Sequence, residues 1–214
     1  GRRGLVTAGT TREPFDPVRF IGNRSTGRMG YAIAEAARDR GAEVVLVSGP
    51  TSLEAPPGVR VIAVESCQEM LEACLAEFPQ ADITVAAAAP ADYRPATVAS
   101  SKIKKSGDEL TITLVRNPDI IAELGRRKRP GQVTVAFAAE TDDLIANARR
   151  KLAEKNADFV VANDVTAEGA GFGTETNRVV FVTADTADEL PLMRKREVAD
   201  RILDRAAALL EGGA

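Results

Sequence analysis

Apolar, β-rich runs alternate with amphipathic helical patterns along most of the chain, and this alternation constrains its fold more than any other feature. Residues 43–48 (EVVLVS) are nearly all apolar, which is typical of a parallel strand covered on both faces. Strands that alternate with helices form right-handed βαβ units, which combine into a doubly wound sheet. The sequence therefore predicts a single α/β domain over residues 1–214, with a Rossmann-like, mainly parallel sheet and helices on both faces.

The individual elements follow from the same pattern. Strands are predicted at residues 5–8, 43–48, 59–64, 82–88, 133–138, 159–162 and 179–182. Helices are predicted at residues 27–40, 66–78, 142–155 and 188–210. A further helix is expected to begin with Asn117 as its N-cap and Pro118 at its first position. Residues 109–115, which alternate between polar and apolar, and residues 178–183 predict a small antiparallel extension.

The absence of histidine limits the chemistry that the chain can perform. It excludes a Ser-His-Asp triad, a Cys-His pair and every histidine-ligated metal site. The two cysteines, Cys67 and Cys74, lie in a predicted helix and are expected to pack as small core hydrophobes rather than to act in redox chemistry.

Charge and hydropathy narrow the class of protein further. The chain has 28 Lys and Arg against 31 Asp and Glu, whereas a nucleic-acid-binding surface normally needs a basic excess. It has no run of about 18 apolar residues that could cross a membrane, and no signal-peptide pattern. We therefore expect a cytoplasmic enzyme without nucleic-acid or membrane partners. Because the chain begins at Gly1 rather than Met, we also expect a trimmed or released domain.

The first loop, which follows the strand at residues 5–8, has the composition of a phosphate-binding turn. Its last part, Ser25–Gly30, opens a helix with small residues, so that backbone N–H groups can approach a phosphate. Close packing of the loop on the helix is the alternative. Arg19 and Asn23 lie in the same loop, where arginine guanidinium groups suit a carboxylate or a phosphate; ordinary surface ion pairs are the alternative.

Three later loops are also candidates. Small residues before Asp92 would let a base or ribose lie against the backbone, with Asp92 accepting a ribose hydroxyl; an Asp-capped turn is the alternative. Lys102 stands first in a lysine-rich segment that is either a phosphate site or a solvated turn. Residues 169–177 are glycine-rich and predict a flap or a plain connector. Lys151 and Lys155 share one face of a predicted helix.

Seven segments occur together in an order that is specific to one enzyme family. From end to end they are VTAGTTREPFDPVRFIGNRSTGRMGYAIAEAA, AAAPADYRP, KIKK, NPDI, AFAAET, KNADFVVANDV and FGTETNRVVFV. The chain resembles phosphopantothenoylcysteine synthetase (phosphopantothenate–cysteine ligase) of the bacterial CTP-using type, over essentially its whole length. In most bacteria this enzyme is the C-terminal half of a bifunctional coenzyme A biosynthesis protein, whose other half is a flavin-dependent decarboxylase. The resemblance implies no flavin on the present domain.

The resemblance implies a two-step ligation. CTP activates the carboxylate of 4′-phosphopantothenate as an acyl-cytidylate with release of pyrophosphate, and the amine of cysteine then displaces CMP. Asn23 matches the asparagine tied to turnover of the acyl-cytidylate, and Lys102 matches the lysine tied to its formation. Arg19 matches an arginine that is expected to hold an acidic substrate group. Magnesium is expected with CTP, although the sequence shows no protein cage for it, and the family forms homodimers with the site completed across the interface.

The resemblance also implies a set of nucleotide contacts. They are Ser25, Gly27, Ala88, Ala89, Asp92, Lys102, Pro118, Asp119, Ile120, Ile121, Phe137, Lys151 and Lys155. One departure is that Gly9 is followed by Thr10 where the family has a second glycine, so we expect a narrowed turn there.

Two other functions are alternatives to the ligase. A short-chain-type dehydrogenase would need Tyr-x-x-x-Lys, but Tyr31 is followed four residues later by Glu35, and Tyr93 by Thr97. A non-catalytic nucleotide-binding module would bind CTP without turning it over. Pyrophosphate release in the presence of CTP, phosphopantothenate and cysteine separates that module from a ligase.

Overall fold

A mixed sheet forms the centre of the molecule, for which a computed structural model describes residues 1–105, 107–140, 143–164 and 173–212. In chain order its strands and those of the smaller sheets are β1 (Arg3–Ala8), β2 (Arg12–Pro14), β3 (Phe20–Gly22), β4 (Glu43–Ser48), β5 (Arg60–Ala63), β6 (Ile83–Ala86), β7 (Tyr93–Pro95), β8 (Leu114–Arg116), β9 (Val133–Glu140), β10 (Phe159–Asp164), β11 (Thr176–Asn177), β12 (Val179–Val182), β13 (Ala187–Glu189) and β14 (Met193–Arg194). The α-helices are α1 (Arg28–Asp39), α2 (Cys67–Glu77), α3 (Ile120–Arg127), α4 (Leu144–Lys155) and α5 (Lys195–Gly212).

The large sheet has eight strands in the order β13-β12-β10-β9-β6-β1-β4-β5. The six strands from β10 to β5 are parallel, and β12 and β13 add an antiparallel edge. Three antiparallel pairs, β2-β3, β7-β8 and β11-β14, lie outside it. The predicted doubly wound α/β fold with a small antiparallel extension is confirmed.

Alternate side chains of β1 divide the core into two layers, because successive strand residues point to opposite faces. Val6 packs in the cluster that contains Ile33 of α1 and Ile202 of α5. Leu5 packs in the cluster that contains Met70 of α2 and Leu124 of α3. The helices therefore cover both faces of the sheet.

The chain reverses its direction of winding at β1. From β1 it proceeds to β4 and β5 on one side, and it then returns to β6 on the other side. The register pairs Thr7 with Ala86, so that β1 and β6 end at nearly the same level. A reversal of this kind opens a crevice at the carboxyl ends of the two strands, which is where ligands of such sheets bind.

Two helix ends are capped by local residues, and the predicted packing of both cysteines in the core is confirmed. Ser66 caps α2 in a capping box with Glu69. Gly41, directly after the C-cap of α1, has a φ of 83°, which glycine adopts without a steric penalty. Cys67 and Cys74 are free and buried in the core, and burial raises the pKa of each thiol to about 12.

The start of α3 was predicted wrongly. Asp119, rather than Asn117, is its N-cap, and the Asp119 carboxylate accepts the Ala122 N–H over 3.0 Å. Asn117 instead donates through Nδ2 to the Ala91 carbonyl over 2.7 Å. Local propensity favours Asn117 as the helix cap, but its side chain makes a tertiary contact with the loop after β6 instead.

Other element boundaries also differ from the prediction. The predicted helix at 188–210 begins only at Lys195, because residues 187–189 pair with β12 and Pro191 cannot donate a helical hydrogen bond. Of residues 109–115 only Leu114 and Val115 form a strand, β8, and both are exposed. The helix predicted from residue 142 begins at Leu144, and residue 142 itself lies outside the described residues. Within the described ranges, no helix is both long and apolar enough for a membrane crossing.

Replacing Gly30 with alanine tests how closely α1 lies on β1. In an exposed helix this change stabilises by about 1 kcal/mol. Here the added Cβ would lie 2.5 Å from the Ala8 Cβ and 2.7 Å from the Thr7 carbonyl oxygen. We therefore expect the free energy of unfolding, measured by urea denaturation, to fall by about 1–3 kcal/mol. Gly212→Ala, whose Cβ meets nothing within 4 Å, is the control; equal stability of the two variants would contradict the close approach.

Candidate active site

A cavity of about 560 Å³ lies at the carboxyl ends of the central strands. Its volume is in the usual range for small-molecule sites. It is lined by Thr7, Ala86, Ala88, Pro90, Ala91, Asp92, Tyr93, Arg116, Asn117, Pro118, Asp119, Ile120, Ile121, Phe137, Lys151, Glu154 and Lys155. The structure thus brings together nine of the residues named above as nucleotide contacts: Ala88, Asp92, Pro118, Asp119, Ile120, Ile121, Phe137, Lys151 and Lys155.

The lining of this large cavity carries equal numbers of acidic and basic side chains. The acidic residues are Asp92, Asp119 and Glu154, and the basic residues are Arg116, Lys151 and Lys155. The ammonium group of Lys155, on α4, pairs with the Asp119 carboxylate at the start of α3. That contact fixes the distance between the two helices that form one wall, so Lys155 supports the wall as well as lining it.

The loop after β6 is held in place by Asn117 and Asp92. The Asn117 N–H donates to the Asp92 carbonyl over 2.9 Å. The Asp92 side chain itself is exposed and makes no hydrogen bond with the other described residues. It is therefore available to accept a hydroxyl group from a ligand.

A smaller cavity of about 160 Å³ adjoins the large one and shares Ala88 and Phe137 with it. Three of the four other residues predicted to contact the nucleotide, Ser25, Gly27 and Ala89, line this smaller cavity. No side chain of the described residues caps α1, so its first N–H groups can donate to an anion. Gly27 has a φ of 82°, and a Cβ there would lie 3.3 Å from the Gly9 nitrogen, so glycine is required at this turn.

Two residues of the smaller cavity were missed by sequence reasoning. Lys195 is 7% exposed, and its ammonium group donates to the carbonyl groups of Thr174 and Thr176. Burial, together with Arg28 nearby, lowers the pKa of Lys195 to about 8. Asn163 is 8% exposed, and its Oδ1 has no hydrogen-bond partner among the described residues.

No sequence signal singled out either residue. Lys195 falls inside the helix predicted at residues 188–210, and Asn163 directly follows the strand predicted at residues 159–162. Only the pairing of distant strands brings them to one cavity. Of the glycine-rich segment at residues 169–177, predicted as a flap or a plain connector, residues 169–172 lie outside the described residues, and Thr176 and Asn177 form β11.

Asn23 connects the loop after β1 to the loop after β6. Its Nδ2 donates to the carbonyl groups of Ala89 and Pro90, each over 3.0 Å. Its backbone N–H donates to the Thr10 hydroxyl over 3.0 Å. Asn23 does not have a positive φ, so an unusual backbone angle does not explain why asparagine stands here.

Thr10, the departure from the family pattern, acts as a link rather than as an obstruction. Its hydroxyl accepts from Asn23 and donates to the Thr11 carbonyl over 3.1 Å. Its backbone forms a parallel bridge with Ala89. The Thr10 backbone fits here because residue 49 is a glycine: a Cβ on Gly49 would collide with the Thr10 carbonyl group.

Arg19 and Lys102 lie outside the residues that line either cavity. Arg19 is half-buried and pairs with Asp16, as the ion-pair alternative for this loop anticipates. Lys102 is exposed.

The two tyrosines do not support the dehydrogenase alternative. Tyr31 hydrogen-bonds to Ser48 within the core, and Tyr93 lines the large cavity. Neither has a lysine at the spacing that a dehydrogenase requires.

Comparison with known proteins agrees with this architecture. Residues 1–210 match the family model described as DNA/pantothenate metabolism flavoprotein C-terminal domain. The chain is 50% identical over 211 residues to the coenzyme A biosynthesis bifunctional protein CoaBC of Bacillus subtilis (strain 168), which covers 98% of this chain and 52% of that protein. It is 48% identical over 208 residues to CoaBC of Vibrio vulnificus (strain CMCP6), covering 96% and 52%. The chain spans about half the length of these curated relatives.

Among solved structures, the crystal structure of the C-terminal domain of CoaBC is similar to the present one with a TM-score of 0.84. The two chains are 47% identical, and the match covers 99% of this chain and 98% of the other. The likeness therefore extends to the whole domain.

Thr10→Val tests the link between the two loops. Valine keeps the shape of threonine but leaves the Asn23 N–H without its acceptor, so we expect the free energy of unfolding to fall by about 1–3 kcal/mol. Thr10→Ser, which keeps the hydroxyl, should lose much less. Urea denaturation measures both, and a valine variant as stable as the serine variant would show that the hydroxyl contributes nothing.

Proposed function

Because the chain belongs to the family of the DNA/pantothenate metabolism flavoprotein C-terminal domain, we propose that it is a CTP-dependent ligase that joins 4′-phosphopantothenate to L-cysteine. Its relatives are named for coenzyme A biosynthesis, and it matches about half of their length. The observation that carries the proposal is the pair of joined cavities at the reversal of the sheet, lined by the residues that the family resemblance assigns to the nucleotide.

The two cavities divide the nucleotide between them in this proposal. The large cavity receives cytosine and ribose, with Asp92 accepting a ribose hydroxyl. The smaller cavity receives the phosphates at the start of α1, where the N–H groups and the buried Lys195 offset their negative charge. The shared residues Ala88 and Phe137 then lie near the α-phosphate.

In the first step, a carboxylate oxygen of phosphopantothenate attacks the α-phosphorus of CTP. The bond from the α-phosphorus to the bridging oxygen breaks, and pyrophosphate leaves with the electron pair. Lys102 is exposed and lines neither cavity in the structure, and in this proposal its side chain reaches the phosphate as negative charge develops there. No histidine is needed, because this step transfers no proton from the nucleophile.

In the second step, the amine of cysteine attacks the activated carbonyl. The amide forms, CMP leaves, and the amine loses a proton to solvent or to the leaving phosphate. Asn23 orients the acyl-cytidylate from the junction of the two loops, where its amide is fixed against Ala89 and Pro90. A neutral carboxamide suits this position because it adds no charge next to two anionic groups.

Magnesium is part of the proposal, as the usual companion of a nucleoside triphosphate. The described residues contain no group of three or more acidic or cysteine side chains that could hold a metal. The unpartnered Oδ1 of Asn163 is an oxygen ligand of the kind that Mg²⁺ takes, and Mg²⁺ commonly obtains its other ligands from phosphates and water. Asn163 therefore fits a Mg²⁺ ion that is bound mainly by phosphates and water. Such an ion would offset the negative charge of the phosphates.

We further propose a homodimer and a cytoplasmic location. Exposed apolar side chains cluster around the small β2-β3 and β7-β8 pairs, including Val18 (59%), Phe20 (48%), Val98 (56%) and Leu114 (42%). A surface of this kind is typical of an interface, and a second copy is the partner that the family resemblance implies. The cytoplasm suits a chain whose two cysteines are both free. In a full-length protein the partner domain would be a flavin-dependent decarboxylase.

Incubation with CTP, 4′-phosphopantothenate, L-cysteine and Mg²⁺ tests the ligase directly. We expect phosphopantothenoylcysteine, CMP and pyrophosphate in equal amounts, measured by liquid chromatography and mass spectrometry. Binding of CTP without pyrophosphate release would instead establish a nucleotide-binding module and contradict the ligase.

Lys102→Gln tests the first step. The developing phosphate charge loses its cation, so single-turnover release of pyrophosphate should slow by about 10²–10³. The affinity for CMP should fall far less, because Lys102 acts on negative charge that develops only in the transition state. Lys128→Gln, which breaks a pair with Asp158 outside both cavities, is the control. Unchanged pyrophosphate release by Lys102→Gln would make the lysine a solvated turn residue.

Asn23→Asp tests the second step. A carboxylate at this position would repel the electron density that builds on the carbonyl oxygen during attack by cysteine, whereas activation should proceed. The acyl-cytidylate should therefore accumulate, and quenched reactions analysed by mass spectrometry would detect it. Since the carboxylate would also face the carbonyl groups of Ala89 and Pro90, a thermal melt checks folding. Near-normal amide formation without the intermediate would remove Asn23 from the mechanism.

A further inference from the structure

Residues 173–177 form part of the wall of the smaller cavity. Gly173 and Asn177, at the two ends of this segment, line the cavity together with Lys195. The segment contains β11 and leads directly into β12 of the large sheet. The shape of the smaller cavity therefore depends on where this segment is held.

Lys195, the first residue of α5, holds this segment from a buried position. Its ammonium group donates to the carbonyl groups of Thr174 and Thr176, and to the Thr174 hydroxyl over 3.2 Å. Its backbone N–H donates to the Glu175 carbonyl over 3.0 Å. Hydrogen bonds from a charged donor are stronger than neutral ones, and these are shielded from water because Lys195 is buried. One residue thus binds three consecutive residues of the segment.

The start of α1 contacts the same segment. Asn177 is buried and donates through Nδ2 to Sδ of Met29 over 3.6 Å, and Arg28 pairs with Glu175. Arg28 and Met29 also line the smaller cavity. Exposed ion pairs such as Arg28–Glu175 contribute little, whereas Lys195 tethers the segment from within the protein.

The charges beside the smaller cavity favour a polyanion. Burial, followed by repulsion from Arg28, lowers the pKa of Lys195 to about 8, and both residues line this cavity. The β- and γ-phosphates of CTP, placed here by the proposed function, would offset that repulsion. CMP carries only the α-phosphate, which lies near Ala88 and Phe137 in that arrangement. The cavity therefore favours CTP over CMP.

We propose that Lys195 is a positioning residue that makes the smaller cavity select the triphosphate, because it holds residues 173–177 in place as part of the cavity wall. The inference rests on the proposed function, which places the β- and γ-phosphates in this cavity. It goes beyond that function because Lys195 acts through the segment as well as through its charge. Lys195 is not among the residues that line the large cavity, so cytosine and ribose should bind without it.

The test compares Lys195→Met and Thr174→Val with a matched control, Lys128→Met. Methionine keeps the apolar stem of lysine but has no ammonium donors, and valine removes the hydroxyl acceptor from the segment. Lys128 is also partly buried and donates to a backbone carbonyl, that of Asn156, but it lines neither cavity. Measured on the full chain are amide hydrogen exchange of the peptide that contains residues 173–177, and the affinities for CTP, CMP and inorganic pyrophosphate.

We expect Lys195→Met to raise exchange across residues 173–177 and to weaken binding of CTP and pyrophosphate by about 10- to 100-fold, because buried hydrogen bonds from a charged donor are lost. The affinity for CMP should stay close to that of the wild type. Thr174→Val should give the same pattern to a smaller degree, and it covers the case in which Lys195→Met fails to fold. Lys128→Met should change none of these quantities.

Two results in a folded variant would overturn the proposal. The first is unchanged exchange across residues 173–177. The second is an affinity for CTP that either stays unchanged or falls only as much as the affinity for CMP. A wild-type chain that binds neither CTP nor pyrophosphate would contradict the proposed function and this inference with it, so the wild type distinguishes the two failures.

Discussion

The parallel pairing of β1 with β6 is the constraint on which the site depends. These two strands are neighbours in the sheet but lie far apart in the chain, and their following connections run in opposite directions. Side-chain hydroxyls continue the pairing past the strand ends: Thr7 accepts the Ala88 N–H over 3.1 Å, and Thr11 accepts the Ala91 N–H over 2.9 Å. The two loops on either side of the crevice are thus hydrogen-bonded to one another. The two cavities that they border share Ala88 and Phe137.

The chemistry proposed for this crevice follows from the absence of histidine in the sequence. Without histidine, no side chain has an ordinary pKa near neutrality, so the site has to work by fixed charge and by position. Cations such as Lys102 and Lys195, and the open start of α1, meet that need for a reaction between two anionic substrates. Fixed charges are useful only if they are held in place, and Lys195 is held by the carbonyl groups of Thr174 and Thr176.

Hydrophobic periodicity predicted the sheet and the main helices because it is a local signal, and the family resemblance implied nine of the residues that line the large cavity. Local signals failed where a distant contact decides the structure. The sequence predicts Asn117 as a helix cap, but its side chain donates to Ala91. It also predicts a helix at residues 188 and 189, but these pair with β12. Lys195 and Asn163 carried no signal, since their place in one cavity depends on which strands pair. The effect of Thr10 also depended on its partner Asn23, which lies 13 residues away.

The most direct measurement of the central claim is a crystal structure of the chain with CTP bound. We expect cytosine and ribose in the large cavity beside Asp92, and the phosphates at the start of α1 near Ser25 and Gly27. Density for the triphosphate outside the smaller cavity, or for the base outside the large one, would contradict the assignment of this crevice as the site of acyl-cytidylate formation.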